Sequence, residues 1–183
     1  TIFEQETGSN IYEAFERDLA KPAGLQDFDR AAQRKSENRR ASLHAAYHFY
    51  LSTRDMARVG YLMLRGGAWA GRQLVPRDWV QRMVTPVTRV ADMNPESYRK
   101  GPFGYGYLWW VVDYPYKGRK VDAYQALGAG GQNVTVIPDL DLVIASFNGS
   151  YASRGYGFVT GTLIPENILP AMREATTTKK ARP

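Results

Sequence analysis

The sequence predicts an α+β fold, in which an antiparallel sheet is flanked by helices. Residues 1–90 contain apolar side chains at helical spacing, whereas residues 103–147 alternate strand-like runs with short turns. Consecutive strands joined by short turns pair antiparallel. We therefore expect one domain (1–175) with a helical part (1–90), then the sheet and a C-terminal helix (103–175), followed by a basic tail (176–183).

The first helix with a clear start signal follows Asn10. Asn10 and Glu13 have the spacing of a capping box, which bonds the free backbone N–H groups of a helix start. Pro22 ends this helix, and its apolar stripe consists of Ile11, Phe15 and Leu19. The polar residues 26–42 are expected to form a long exposed connection.

The clearest helix begins at Ser52. Ser52 and Asp55 form the start signal, and the pair Gly66 and Gly67 ends the helix, because a helix C-terminus often requires left-handed backbone. Its apolar stripe falls at positions i, i+3, i+4 and i+7, which are Met56, Val59, Gly60 and Met63.

A shorter helix is expected from Pro76, which suits the first helical position, to just before Pro86. It should turn Trp79, Val80 and Met83 inward. Residues 86–102 hold no periodic pattern.

Four strands are expected after residue 102, because aromatic and β-branched residues dominate this part of the chain. The last two flank the turn-forming residues 138–141. The strands cover residues 103–112, 121–127, 134–137 and 142–147, and a final helix follows at about 162–175.

Composition excludes several functional classes. The chain has no cysteine, which rules out a disulfide, a thiolate nucleophile and a cysteine metal site, and it leaves the compartment open. No segment is apolar for long enough to span a membrane. The net charge is +6, but acidic residues interrupt the densest basic cluster, which favours a solvated loop over an anion or nucleic-acid site. That cluster is Arg30, Arg34, Lys35, Arg39 and Arg40.

His44 and His48 are separated by four residues and could in principle share a metal ion. No third ligand accompanies them, and the neighbouring Tyr47 and Phe49 favour packing. We therefore expect no metal and no cofactor, with His44 at the rim of a pocket.

The stretch from Gly128 to Gln132 has three glycines in four positions between two predicted strands. One interpretation is a bulge or a tight hairpin. The other is a strand edge kept bare, so that a ligand approaches backbone N–H groups that could stabilise an oxyanion.

Several motifs occur together in a characteristic order. They are EQETG from residue 4, STRDMAR from 52, GGAW from 66, LVP from 74, WV from 79, GYGYLWW from 104, GAGGQ from 128 and VIPDLDLV from 136. Nearly the whole chain thereby resembles the C-terminal half of penicillin-recognising serine hydrolases of the class C β-lactamase type. That group includes carboxylesterases, D-aminopeptidases and 6-aminohexanoate-dimer hydrolases. The resemblance implies the C-terminal part of a β-lactamase/transpeptidase-like fold.

The resemblance implies catalysis by a Ser and a Lys one helical turn apart, assisted by a Tyr in a Tyr-x-Asn motif. This sequence has no Tyr-x-Asn. Its one Ser-x-x-Lys match, Ser97 to Lys100, lies between Pro95 and Pro102 and is expected to be a chance match in a surface loop. In family order, the nucleophile falls before Thr1.

The family's Lys-Thr-Gly or His-Thr-Gly motif is also missing, since residues 123–130 contain neither Lys nor His. This departure points away from β-lactams and towards esters or amides. By resemblance, the backbone N–H of Ala129 or Gly130 is the second oxyanion donor. The tentative substrate-binding residues are Gly128, Gly131, Gln132, Trp109 and His44, although either Trp109 or Trp110 could line the acyl pocket.

Two functions from different classes remain open. In the first, the chain is the C-terminal part of an ester- or amide-cleaving serine hydrolase, inactive alone, whose partner is the missing N-terminal half, covalent or separate. In the second, it is a non-catalytic binding module derived from such a hydrolase. Neither involves nucleic acid.

Overall fold

The computed structural model describes residues 2–100, 103–149 and 157–172. It confirms the α+β class, with antiparallel sheets and flanking helices. The helices are α1 (Ile2–Thr7), α2 (Ile11–Phe15), α3 (Thr53–Leu64), α4 (Arg77–Met83) and α5 (Leu169–Ala171). The strands are β1 (Arg34–Ser36), β2 (Ala46–His48), β3 (Ala68–Trp69), β4 (Arg72–Gln73), β5 (Phe103–Tyr105), β6 (Trp110–Tyr116), β7 (Arg119–Leu127), β8 (Gln132–Ile137) and β9 (Leu142–Phe147).

The start signals of two predicted helices are confirmed. The Asn10 side chain accepts hydrogen bonds from the backbone N–H groups of Tyr12 and Glu13, at 2.9 and 3.2 Å. Helix α2 then continues as a π-helical turn, Glu16–Ala20. The Ser52 hydroxyl accepts from the N–H of Asp55 at 3.1 Å, so α3 begins as predicted.

The main sheet of the described residues has five antiparallel strands in the order β5-β6-β7-β8-β9. Because side chains alternate along a strand, each strand faces two separate cores. One core lies against α3 and α4 and comprises Met56, Met63, Val80, Trp109, Tyr124, Val134 and Val136. The other lies against the C-terminal helical segment and comprises Tyr114, Val121, Ala123, Ile137, Val159, Ile164 and Leu169.

The C-terminal helical segment starts earlier than predicted. It runs as a π-helix over Val159–Ile168 and continues into α5. Pro165, which has no N–H to donate, lies within it. The predicted end of this helix at 175 and the tail 176–183 lie outside the described residues.

Four sequence predictions need correction. The expected strand 103–112 is broken into β5 and β6 by a turn in which Leu108 has a φ of +63°. The connection 26–42 contributes β1, which pairs with β2. Residues 86–102 include two 3-10 turns, Val90–Asp92 and Glu96–Lys100. Trp79 is 45% exposed and contacts Tyr107, because α4 turns only Val80 fully inward.

Gly60 allows α3 to approach the sheet closely. A Cβ atom at this position would lie 2.6 Å from a methyl carbon of Val143 and 2.8 Å from one of Val134. These methyls belong to the packed core, so they cannot move away freely. The close approach sets the distance between α3 and strands β8 and β9.

We expect Gly60→Ala to destabilise the fold by about 1–2 kcal/mol, because overpacking outweighs the gain in helix propensity. The matched control is Gly161→Ala, also in a helical segment, where an added Cβ meets no atom within 4 Å. That change should be neutral or stabilise by about 0.5–1 kcal/mol. Urea unfolding midpoints measure both, and equal effects at the two glycines would contradict the packing argument.

Within the three described ranges, no helix is both long and apolar enough to cross a membrane.

Candidate active site

Strands β7 and β8 are joined by a tight three-residue loop, Ala129 to Gly131. The N–H of Gly128 donates to the carbonyl of Gln132 at 2.9 Å, and the N–H of Gly131 donates to the carbonyl of Gly128 at 3.0 Å. Gly131 has a φ of +81°, as expected where a hairpin turn ends in a left-handed residue. The glycines therefore serve a tight hairpin, the first of the two sequence interpretations.

The hydrogen bonds of this hairpin show which of the two expected oxyanion donors is already engaged. The N–H of Gly130 already donates to the side-chain Oε1 of Gln132, at 2.9 Å. Among the described residues, the N–H of Ala129 has no acceptor. Ala129 is thus the better placed of the two to bind a ligand oxygen.

The end of β7 offers a further backbone donor that sequence reasoning missed. Successive N–H groups of a strand point to opposite neighbours. Because the N–H of Gly128 faces β8, the N–H of Leu127 faces the β6 side, and pairing with β6 ends at Gln125. Strand alternation counted back from the glycines would have located it.

Leu127 and Ala129 border a cleft of about 540 Å³ between the sheet and the C-terminal helical segment. A cavity of this size suits a small organic ligand. Its walls are mostly apolar, and Asp113 is the one charged residue among those described around it. The lining residues are Tyr98, Phe103, Trp110, Val112, Asp113, Tyr114, Gln125, Leu127, Gly128, Ala129, Thr160 and Gly161.

The two adjacent tryptophans take opposite faces of the sheet. Trp109 is only 5% exposed and packs edge-on against Tyr124 in the α3 core, with ring centroids 5.4 Å apart. Trp110 lines the cleft instead. The structure therefore places Trp110, and not Trp109, beside Gly128 and Ala129.

A buried polar chain forms the floor of the cleft. The amide nitrogen of Gln125 donates to the hydroxyls of Tyr114 and Thr135, at 2.6 and 3.0 Å. The Tyr114 hydroxyl donates to the carbonyl of Thr160 at 3.0 Å. Burial raises the pKa of Tyr114 to about 12, so this phenol stays protonated near neutral pH and is unsuited to act as a general base.

Other candidate residues lie elsewhere. His44 lines a separate polar cavity of about 290 Å³ that also includes Glu4 and Lys35. The Nε2 atom of His48 lies 2.7 Å from the Ser36 hydroxyl. Ser97 is exposed on its 3-10 turn and is not part of a buried helix. In the described part of the chain, no three His, Cys, Asp or Glu side chains group to hold a metal.

Comparison with known proteins identifies the family of the chain. The profile of the family described as Beta-lactamase matches residues 1–157. The chain belongs to the beta-lactamase family. Its fold agrees, since the structure of an octameric penicillin-binding protein homologue from Pyrococcus abyssi superposes with a TM-score of 0.54 at 18% identity, covering 92% of this chain and 42% of that one.

Members of the family with related sequences are considerably longer than this chain. A 6-aminohexanoate-dimer hydrolase from Paenarthrobacter ureafaciens is 32% identical over 99 residues, which are 53% of this chain and 24% of that protein. An uncharacterized protein from Alkalihalophilus pseudofirmus is 29% identical over 119 residues, 61% of this chain and 34% of its own length. The chain thus spans about a third or less of these curated relatives.

A second solved structure has a similar fold and is also longer than this chain. A Bacillus anthracis protein proposed to be a 6-aminohexanoate-dimer hydrolase superposes with a TM-score of 0.59 at 19% identity, covering 85% of this chain and 37% of that one. The family is thus a hydrolase family of β-lactamase fold. The residues that the structure brings together are Leu127, Gly128, Ala129, Trp110 and Gln125.

Proposed function

We propose that this chain is the C-terminal portion of a serine hydrolase that cleaves ester or amide bonds through an acyl-enzyme. The nucleophilic Ser and its Lys belong to a segment outside the chain, covalently attached or separate. The observation that carries the proposal is the N–H of Ala129, which has no acceptor among the described residues and borders an apolar cleft.

In the proposed mechanism, the Ser hydroxyl attacks the substrate carbonyl and transfers its proton to the side-chain amine of the Lys. The carbonyl oxygen becomes an oxyanion, and the N–H of Ala129 donates a hydrogen bond to it. Collapse of this tetrahedral intermediate expels the alcohol or the amine and leaves the acyl-enzyme. Water then attacks the acyl carbon and releases the acid. This chain supplies the backbone donor and the wall that excludes water.

The charge around the site supports an uncharged substrate. Residues 121–132, which include the part of β7 nearest the cleft and the hairpin after it, contain no Lys, Arg or His. A substrate carboxylate beside the hairpin would therefore meet no cation on this stretch, because the two cations at the far end of β7, Arg119 and Lys120, pair with Asp139 and Asp113.

The test compares this chain with an extended protein, expressed from the coding sequence continued upstream of Thr1 to the next in-frame start codon. We expect this chain alone to hydrolyse 4-nitrophenyl acetate and an anilide no faster than buffer does, and the extended protein to hydrolyse at least one of them. Turnover by this chain alone that Ser97→Ala abolishes would overturn the proposal.

A second candidate is a non-catalytic binding module derived from such a hydrolase. This candidate requires no Ser-x-x-Lys pair, and no buried helix of the described residues carries one, an observation that agrees equally with a nucleophile outside the chain. An extended protein that binds ligands in the cleft and hydrolyses neither substrate would support this candidate over the enzyme.

A further inference from the structure

One wall of the cleft is a fixed aromatic cluster centred on Trp110. The rings of Tyr98 and Phe103 meet Trp110 edge-on, with centroids 5.7 and 5.3 Å away. Tyr105 supports Trp110 from the side, at 4.7 Å. Such edge-to-face contacts hold the rings in place, and a further ring entering the cleft can join them in the same geometry.

Beside Trp110, on the neighbouring strand β7, the floor of the cleft contains an acceptor without a donor, the Oε1 atom of Gln125. Gln125 is only 3% exposed, and it lines the cleft. Its amide nitrogen donates two hydrogen bonds, one to the hydroxyl of Tyr114 and one to the hydroxyl of Thr135. No described residue donates to its Oε1 atom.

The orientation of the Gln125 amide follows from its neighbours. The Tyr114 hydroxyl donates its proton to the carbonyl of Thr160, and the Thr135 hydroxyl donates to Oδ1 of Asn133. Each hydroxyl has one proton, so both must accept from Gln125, and the NH₂ group has to face them. Oε1 is therefore left for a ligand, and an acceptor in such a sheltered cleft gains when a donor reaches it.

We propose that the cleft binds a carboxamide carrying an aromatic group. Its ring packs among Tyr98, Phe103 and Trp110, its N–H donates to Oε1 of Gln125, and its carbonyl oxygen accepts from the N–H of Ala129. This narrows the proposed substrates from esters or amides to amides, because an ester has no proton for Gln125. The identification of this carboxamide as a substrate rests on the proposed function, whereas its binding does not.

The test measures the binding of uncleaved ligands to the 183-residue chain by NMR titration of the tryptophan indole signals. We expect phenylacetamide to bind at least fivefold more tightly than methyl phenylacetate, which lacks the N–H. Acetamide, which lacks the ring, and phenylacetate, which carries a negative charge, should bind at least tenfold more weakly than phenylacetamide. Comparing ligands avoids replacing Gln125, whose loss would leave other buried groups unpaired.

Two matched variants locate the binding site. Tyr98 and Tyr107 are each 44% exposed, but Tyr98 lines the cleft and Tyr107 contacts Trp79 instead. We expect Tyr98→Ala to weaken phenylacetamide binding about threefold to tenfold, as loss of an aromatic contact implies. Tyr107→Ala should change it less than twofold.

Three results would overturn the inference: no saturable binding of phenylacetamide, equal binding of the amide and the ester, or equal effects of the two tyrosine variants. Failure of this inference can be distinguished from failure of the proposed function. An extended protein that hydrolyses esters while this chain fails to bind phenylacetamide refutes the inference alone. Selective binding without any hydrolysis by the extended protein refutes the proposed function and leaves the binding site standing.

Discussion

Replacing Asp55 by alanine should destabilise the chain by about 3–5 kcal/mol, the usual loss when one partner of a buried charged network is removed. The Asp55 side chain is 0% exposed. Its two carboxylate oxygens accept hydrogen bonds from the backbone N–H groups of Gln26 and Asp27, both at 2.9 Å. The Nη1 atom of Arg58 lies 3.5 Å from Oδ1 of the same carboxylate. Alanine would leave all three donors without this acceptor.

The network around Asp55 joins the start of α3 to a segment almost thirty residues earlier in the chain. The N–H of Asp55 donates to the Ser52 hydroxyl, which in turn donates to the carboxylate of Asp27 at 2.6 Å. Arg54 also contacts that carboxylate, at 3.1 Å. Ser52 thus caps the helix, while the Asp55 carboxylate fixes the loop that precedes β1.

Urea unfolding followed by circular dichroism measures this loss, and Asp78→Ala is the matched control. Asp78 also lies in the first turn of a helix, α4, but it is exposed and makes no side-chain hydrogen bond within the described residues. Its replacement should remove only a helix-dipole interaction of about 0.3–1 kcal/mol. Similar losses at both positions would show that the Asp55 contacts to Gln26 and Asp27 contribute little.

The elements with strong local signals could be predicted from the sequence. Helix α3 has a capping residue, an apolar stripe and a double-glycine stop, and all three hold in the structure. Strand β9 was predicted at residues 142–147, and it spans Leu142–Phe147, because the turn before it has its own residue preferences.

Elements that depend on distant contacts could not be predicted. The pairing of β1 with β2 could not be read locally, because β1 consists of the polar residues Arg34–Ser36, which have little strand character. The break at Leu108 arises because the chain must reverse to pair β5 with β6, although residues 103–110 are rich in aromatic side chains. The predicted capping box at Ser52 and Asp55 is only half formed. The Asp55 carboxylate accepts hydrogen bonds from residues 26 and 27 and does not bond the helix start.

In the candidate site, too, local features could be predicted from the sequence, whereas contacts between distant residues could not. The glycines identified the hairpin, but only the hydrogen bonds show that the N–H of Gly130 is engaged while that of Ala129 is not. Gln125 gave no signal in the sequence, because a buried glutamine is recognised only when its partners on β6 and β8 are known. The side of the sheet that each tryptophan faces likewise depended on the register of β6.

In the extended protein, Ala129→Pro should reduce hydrolysis by about 100- to 1,000-fold, the usual cost of removing one oxyanion donor. Proline has no N–H, so the change deletes the proposed donor without adding a bulky group. The fold should tolerate it. Ala129 is the second residue of the turn from Gly128 to Gly131, where proline is favoured, and its N–H takes part in no described hydrogen bond.

Stability separates a catalytic effect of Ala129→Pro from a structural one. A proline that fits its turn changes the free energy of unfolding by less than about 1 kcal/mol and often raises it. Ala129→Ser, which keeps the N–H, should retain hydrolysis within about threefold of the unsubstituted protein, since the backbone donor that the oxyanion requires is unchanged. The decisive measurement is kcat/KM for a matched ester and anilide in both variants. Full activity in a folded Ala129→Pro protein would exclude Ala129 as the donor and leave the N–H of Leu127, on the same open edge of β7, as the remaining backbone candidate.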